Sequence, residues 1–90
     1  MAATYSLQIV SQEEMTYQGE VESLVVPAAL GYLGVLANHA PLLTSLTEGL
    51  LTIREAQGDN KIFKVRGGIL EVSANEVVIL ADDIEDATPS

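Results

Sequence analysis

Apolar and polar residues alternate along several parts of this chain, and this two-residue period predicts β-strands rather than helices. In residues 5–10 the side chains at positions 5, 7 and 9 form one apolar row that should face a core. An extended segment then runs from Tyr17 to Pro27, which ends it because proline donates no hydrogen bond to a sheet. Within that segment we expect Gly19 to form a bulge or bend.

Further strands are predicted between clusters of residues that favour turns, at 33–36, 42–46, 50–56, 61–66, 69–74 and 77–81. Residues 57–60 predict a hairpin loop, and Gly67-Gly68 is expected to break the chain between two strands. About eight to ten short strands joined by such turns indicate an all-β fold, an antiparallel sandwich or barrel. The acidic residues after 82 are expected to fray.

Three predicted strands contain consecutive apolar residues instead of alternating apolar and polar ones, at residues 24–26, 42–43 and 77–81. In a two-sheet sandwich each strand buries one face, so the outward members of these runs need a cover. A domain this small has little spare chain, and we therefore predict an apolar interface with a protein partner. The alternative is that valine is abundant simply because β-branched residues suit strands.

Composition limits the chain to one domain of 90 residues without cysteine, which excludes disulfides and cysteine chemistry. Its net charge of -9 comes from 13 acids and 4 bases, and residues 1–53 contain no base. Nucleic-acid binding needs several cations along one face, and an anionic lipid surface would repel this chain. We therefore expect no nucleic-acid partner and no insertion into lipid.

Two sequence blocks carry more specific information, namely Gly31-Tyr32-Leu33-Gly34-Val35-Leu36-Ala37-Asn38-His39-Ala40-Pro41 and Gly67-Gly68-Ile69-Leu70-Glu71-Val72. Together with the opening residues 4–11, they resemble the N-terminal domain of the epsilon subunit of F-type ATP synthases. The resemblance covers essentially the whole chain. It implies a flattened antiparallel β-sandwich of two sheets in residues 1–82, followed by an acidic flexible tail in residues 83–90.

The resemblance also implies a non-catalytic subunit of the central stalk, which joins the gamma subunit to the c-ring and couples proton-driven rotation to ATP synthesis. Such a subunit would lie on the cytoplasmic side of the bacterial inner membrane. The gamma interface would comprise Ser11, His39, Pro41, Leu42, Leu43, Val78 and Leu80, and the c-ring contact loop Ala28, Ala29, Leu30, Gly31 and Tyr32. Gly34, Gly67 and Gly68 would serve structural turns. No catalytic residue, cofactor, metal, nucleotide site or small-molecule ligand is expected.

The chain departs from this family in three places. Tyr32 stands where the family usually has an acidic or polar residue, so contact with the c-ring would have to differ. Ala37 replaces a usual proline, which should make the following corner less rigid. The sequence stops at Ser90, where the family's inhibitory helical hairpin would begin, so neither inhibition nor nucleotide binding is carried over.

Candidate chemical groups are few. His39 has no partner at motif spacing, and we expect its ring to bond to nearby backbone in a corner. Glu71 lies in an apolar strand and should pair with Lys64 or Arg66. The acids after Asp82 lack the spacing of a calcium loop. Two other functions stay open: a carbohydrate- or ligand-binding sandwich, and a hydrolase that uses Glu71 with a tail acid.

Overall fold

The computed structural model describes residues 3–12 and 14–89, and within these ranges it contains strands and no helix. The strands are β1 (Tyr5–Ser11), β2 (Glu14–Ala28), β3 (Gly31–Leu36), β4 (Leu42–Glu55), β5 (Asn60–Ser73), β6 (Glu76–Ala81) and β7 (Ile84–Asp86). The predicted all-β fold is confirmed. The described residues form seven strands rather than eight to ten, because β4 and β5 each join two predicted strands into one of 14 residues.

The strands form a flattened sandwich whose sheet closes on itself. Its order is β1-β6-β5-β4-β2-β3, and an additional pairing of β1 with β2 closes the ring. All pairings are antiparallel except that of β1 with β6, which is parallel. Apart from β3 and β7, every strand therefore has a partner on both sides.

Strand β5 passes through Gly67 and Gly68 without a break, contrary to the prediction. Both residues have positive φ angles, 137° and 139°, which favour glycine. A Cβ atom on Gly68 would collide with the carbonyl oxygen of Leu80. The two glycines therefore let β5 bend while β6 lies directly against its backbone.

The acidic segment after Asp82 continues along β5 instead of fraying. Asp82 donates its N–H to the carbonyl of Gly67 at 3.1 Å, and Glu85 lies opposite Lys64 in β7. The Thr88 hydroxyl accepts the N–H of Ile62 at 2.9 Å. Backbone bonding to Thr88 also lowers the pKa of Asp86. Pairing of backbone groups thus holds a segment that its charge alone would leave solvated, and a domain boundary at residue 82 stays a prediction.

The core lies between the two layers and contains the predicted row of Tyr5, Leu7 and Ile9. The Tyr5 hydroxyl donates to the carbonyl of Val35 at 2.6 Å, and burial raises the pKa of this tyrosine. The other buried apolar side chains are Val21, Leu24, Val26, Ala28, Val35, Leu46, Leu51, Ile53, Phe63, Val65, Leu70, Val72, Val77, Ile79 and Ala81. Every strand from β1 to β6 contributes to this core.

Strand β2 has a bulge at Thr16 in its pairing with β1 and further register shifts after Val21 and Val25 in its pairing with β4, but none at Gly19, where a bulge or bend was predicted. The register of β1 with β2 changes between Ile9, opposite Tyr17, and Val10, opposite Met15, so Thr16 is the extra residue. Gly19 instead leaves room for the Tyr17 side chain, whose hydroxyl would lie 2.9 Å from a Cβ atom. That hydroxyl donates to Glu55 Oε2 at 2.6 Å, and burial together with this carboxylate raises the pKa of Tyr17.

The bend in β5 yields a stability prediction. Replacing Gly68 with alanine should lower the free energy of unfolding by about 3 kcal/mol or more, because a Cβ atom would force β6 away and strain the backbone. Gly34→Ala is the control, since Gly34 has no neighbour within 4 Å of a Cβ position. Urea denaturation of both variants measures the difference, and equal stabilities would refute this account of the bend.

Candidate functional site

An exposed apolar row crosses the outer surface of four adjacent strands. Ile69 of β5 lies opposite Leu80 of β6, Leu80 opposite Val10 of β1, and Val10 opposite Met15 of β2. Ile69, Leu80 and Met15 are each about half exposed, at 46%, 51% and 48%. This row, called the outer row below, therefore presents side chains that the core does not use.

A second row runs beside it on the same surface. Leu43 of β4 lies opposite Glu71, and Glu71 lies opposite Val78 of β6. Leu43 is 70% exposed and Val78 is partly exposed. The structure thus brings together Leu43, Val78 and Leu80, which the sequence had proposed for one interface. We call the surface formed by these two rows the outer face.

Glu71 lies within the outer face and is exposed, and it takes part in neither of the two ion pairs found among the described residues, so the predicted pairing with Lys64 or Arg66 is wrong. The nearest carboxylate to Arg66 in the described ion pairs is Asp83, with 3.9 Å between Nε and Oδ2. An exposed carboxylate stays hydrated and needs no buried partner. Glu71 also lies four residues along β5 from Gly67, whose neighbour is Asp82. That separation of about 13 Å argues against a catalytic carboxylate pair.

Three residues of the outer row were missed by the sequence analysis: Val10, Met15 and Ile69. Each lies on a strand that looks ordinary in isolation, because its exposed apolar residue fits normal alternation or a bulge. Only the register between strands places the side chains next to one another. The detectable signal was that Ile69 points away from its buried neighbour Leu70.

The remaining predicted residues lie at the two ends of the outer face. Ser11 follows Val10 at the end of β1, and its hydroxyl is 2.8 Å from Oγ1 of Thr16. Pro41 and Leu42 lie at the opposite end, where they border a shallow cleft with Leu43 and Glu71. The predicted set therefore spans the length of one surface rather than forming a compact pocket.

His39 occupies a corner between β3 and β4, as predicted. Its Nδ1 atom lies 2.7 Å from the carbonyl oxygen of Ala40 and donates to it, while its backbone N–H bonds to Leu36 at 3.2 Å. The ring is thereby fixed against its own corner. These two hydrogen bonds hold the His39 side chain in place at the protein surface.

The corner is held by Asn75, which lies in the turn between β5 and β6. The Oδ1 atom of Asn75 accepts the N–H of Asn38 at 2.7 Å, and its Nδ2 donates to the carbonyl of Thr4 at 3.0 Å. Asn38 and Asn75 both have positive φ angles, 64° and 62°, which asparagine tolerates. One side chain thus links the histidine corner to the start of β1.

The loop between β2 and β3 projects a single apolar side chain. Ala29 and Leu30 form this loop, and the Leu30 side chain is fully exposed. Gly31 has a φ of 124°, a conformation that favours glycine. Leu30, rather than Tyr32, is therefore the residue at the tip.

Tyr32 lies flat on β4 instead of projecting from the loop. Its hydroxyl accepts the N–H of Leu50 at 3.2 Å. Its ring passes Pro27 and Gly49, and a Cβ atom on Gly49 would lie 2.8 Å from Cβ of Pro27. Gly34, which was expected in a turn, instead pairs with Val25 inside β3 and is absent from the glycines with positive φ.

The described residues offer no assembled centre for bond chemistry. They contain no group of three histidines and carboxylates placed to hold a metal ion. A polar cleft of about 410 Å³ lies beside Asp82 and Asp83, but both carboxylates are exposed and their cleft is open to solvent. Within residues 3–12 and 14–89 no helix is long and apolar enough to cross a membrane.

Comparisons with known proteins agree on one family. Residues 4–87 match the family model described as the beta-sandwich domain of the ATP synthase delta/epsilon chain. The chain is 42% identical over 76 residues to an ATP synthase epsilon chain of Leptospira interrogans, covering 84% of this chain and 59% of that protein. It is 41% identical over 83 residues to the Moorella thermoacetica epsilon chain, covering 92% and 62%. The chain thus spans about three fifths of each relative's length.

Solved structures show the same fold. A chain in a cryo-EM structure of the Euglena gracilis mitochondrial ATP synthase, containing OSCP, F1 and the c-ring, superimposes with a TM-score of 0.88. That match has 24% identity and covers 96% of this chain and 55% of the other. A chain from the central stalk and c-ring of the Tetrahymena thermophila enzyme gives 0.76, with 20% identity and coverage of 94% and 68%.

The role of Asn75 can be tested with Asn75→Gly, which keeps the left-handed backbone but removes both side-chain bonds. We expect the free energy of unfolding to fall by about 1–3 kcal/mol, and the NMR signals of His39 to shift as its corner loosens. Ala74→Gly is the matched control, because Ala74 lies in the same turn with a φ of 50°. An unchanged His39 spectrum in Asn75→Gly would contradict the proposed link.

Proposed function

Because this chain belongs to the delta/epsilon chain family of ATP synthases, through its β-sandwich domain, we propose that it is a non-catalytic subunit of the central stalk. In this role it joins the gamma subunit to the c-ring, so that proton-driven rotation is coupled to ATP synthesis. It does so on the cytoplasmic side of a bacterial inner membrane, as a peripheral part of the complex. The proposed contacts with gamma and with the c-ring lie on different surfaces of the domain.

The outer face supports the proposed contact with gamma. Its six apolar side chains lie on adjacent strands without covering chain from the described residues: Val10, Met15, Leu43, Ile69, Val78 and Leu80. An exposed apolar surface of this kind, interrupted by Glu71 in its second row, marks protein interfaces, because its burial removes apolar area from water. We assign it to gamma, together with Ser11 and the corner of His39, Pro41 and Leu42.

The β2–β3 loop is the proposed contact with the c-ring. Leu30 offers a fully exposed apolar contact, flanked by Ala29 and Gly31, whereas Ala28 of the predicted loop ends β2 and is buried in the core. Tyr32 supports this loop through its bond to the Leu50 N–H rather than reaching outward. A loop held in this way can transmit force, since its base is tied to β4. Gly67 and Gly68 contribute indirectly by shaping the sheet behind the outer face.

The proposed role needs binding surfaces and no chemistry by the chain itself. The His39 ring is hydrogen-bonded to the carbonyl of Ala40, and Glu71 lies far from the acidic residues of the C-terminal segment. A carbohydrate-binding platform is disfavoured, because sugar stacking needs exposed aromatic rings. Tyr5 and Phe63 are buried and Tyr17 packs edge-on against Phe63, which leaves Tyr32 as the exposed ring.

The gamma assignment predicts the behaviour of two exposed leucines. Leu80→Asp should weaken binding to the gamma subunit from the same source at least about 30-fold, because a carboxylate would be desolvated at the centre of the outer face. Leu50→Asp should leave binding unchanged, although Leu50 is nearly as exposed, at 44% against 51%. Leu50 lies opposite Lys64 in the other half of β4, away from the outer face.

Size-exclusion chromatography and calorimetry with purified gamma measure this difference, and circular dichroism checks that each variant is folded. His39→Ala should give a smaller loss of affinity, since it removes one side chain at the end of the face. If wild type and both aspartate variants bind gamma equally well, the outer face is not the gamma interface.

A further inference from the structure

The C-terminal segment of residues 82–88, called the strap below, lies along the edge of β5. Its strand β7 has three residues and, within the ranges that the structure describes, pairs with β5 and with no other strand. Glu85 and Asp86 are exposed, and Ile84 is the residue of β7 that packs against the core. Because a short strand with one partner and one core contact gains little from burial, the strap is held less firmly than the strands of the ring.

The hydrogen bonds of β5 alternate between the strap and β4. The N–H of Arg66 bonds to the carbonyl of Asp83 at 3.0 Å, and the N–H of Ala87 bonds to the carbonyl of Ile62 at 2.8 Å. By alternation, the N–H groups at even positions from 62 to 66 point to the strap, and those at odd positions point to β4. Neighbouring amides of one strand therefore report separately on the strap and on the main sheet.

Charges favour a single register of the strap on β5. The chain has a net charge of -9, yet three of its four bases lie on β5 between residues 61 and 66. Arg66 Nε lies 3.9 Å from Oδ2 of Asp83, and Lys64 lies opposite Glu85. Exposed pairs of opposite charge are individually weak. They therefore select the register of the strap more than they hold it in place.

Thr88 fastens the end of the strap, beyond the last residue of β7. Its hydroxyl accepts the N–H of Ile62 at 2.9 Å and donates to the carbonyl of the same residue at 3.2 Å. The N–H of Thr88 bonds to Oδ1 of Asp86 at 2.8 Å, which fixes the turn that brings the hydroxyl to β5. One side chain thus closes the ladder at this end.

We propose that the strap is releasable, so that it detaches from β5 as one unit while the closed sheet stays folded. Its described hydrogen bonds to other elements all go to residues 62–67 of β5, and the ring closes through other pairings. Release therefore breaks no pairing within the ring. It uncovers a strand edge that carries three bases, and it exposes Ile84. The proposal does not rest on the role assigned to the outer face.

Amide hydrogen exchange of the full chain tests the proposal. The amides of Lys64 and Arg66 should exchange at least about 100-fold faster than those of Phe63 and Val65, after correction for intrinsic rates, because opening of the strap exposes them. Urea below the unfolding transition should accelerate Phe63 and Val65 far more, because only their exchange requires exposure of the whole core. Equal protection of the four amides, or an equal response to urea, would overturn the proposal, since strap and sandwich would then open together.

A disulfide can lock the strap, because the chain itself contains no cysteine. Lys64→Cys with Glu85→Cys places two thiols in a hydrogen-bonded pair, at a Cα separation of about 5.5 Å that suits a disulfide. The oxidised form should slow exchange at Arg66 at least about tenfold relative to the reduced form of the same protein. An unchanged rate at Arg66 would contradict release of the strap, and failure of the disulfide to form would contradict its register.

Thr88→Ala provides the loosened counterpart. It removes the hydroxyl bonds to Ile62 and should raise the exchange rate at Arg66 by roughly 3- to 10-fold. Thr44→Ala is the matched control, because its hydroxyl bonds to the neighbouring Ser45 carbonyl at 3.3 Å, away from the strap. If both variants change the rate at Arg66 equally, Thr88 does not fasten the strap. Gamma binding has no bearing on these measurements.

Discussion

The close approach of β6 to Gly68 is the constraint on which this fold depends. Strand β5 must pair with β4 along one edge and with β6 and then β7 along the other, while it bends from one layer of the sandwich into the next. A side chain at Gly68 would occupy the position of the Leu80 carbonyl. With no side chain there, two long strands serve both layers, and the pairing of β1 with β2 closes the ring around the core.

Closing the sheet with so short a chain also determines what remains exposed. Nearly all of the chain lies in the paired strands of the ring, so few residues remain to cover the outside of the layers. The apolar residues of the outer face are therefore uncovered for the same reason that the core is complete. Their exposure is therefore a property of the architecture, and it leaves an apolar surface of the kind found at protein interfaces.

Much of this fold could be predicted from local pattern, because alternation reports which face of a strand is buried. The row of Tyr5, Leu7 and Ile9 and the corner at His39 are examples. The outer row could not be predicted, because it depends on register between β5, β6, β1 and β2, which no short segment encodes. The structural role of each glycine could not be predicted for a related reason. Gly68 is explained by a neighbour that is distant in sequence, while Gly34 has no such neighbour and lies in a regular strand.

Charge distribution separates the surfaces of this molecule by the kind of interaction they can make. Two of the four bases are partly neutralised locally, Arg54 by Glu22 at 3.4 Å and Arg66 by Asp83 at 3.9 Å. Exposed ion pairs of this kind contribute little to stability, so they do not explain the fold. The excess acids are absent from residues 23–47, which include β3 and the loop at Leu30. Any contact made by the loop at Leu30 must therefore depend on apolar side chains and backbone groups rather than on ion pairs.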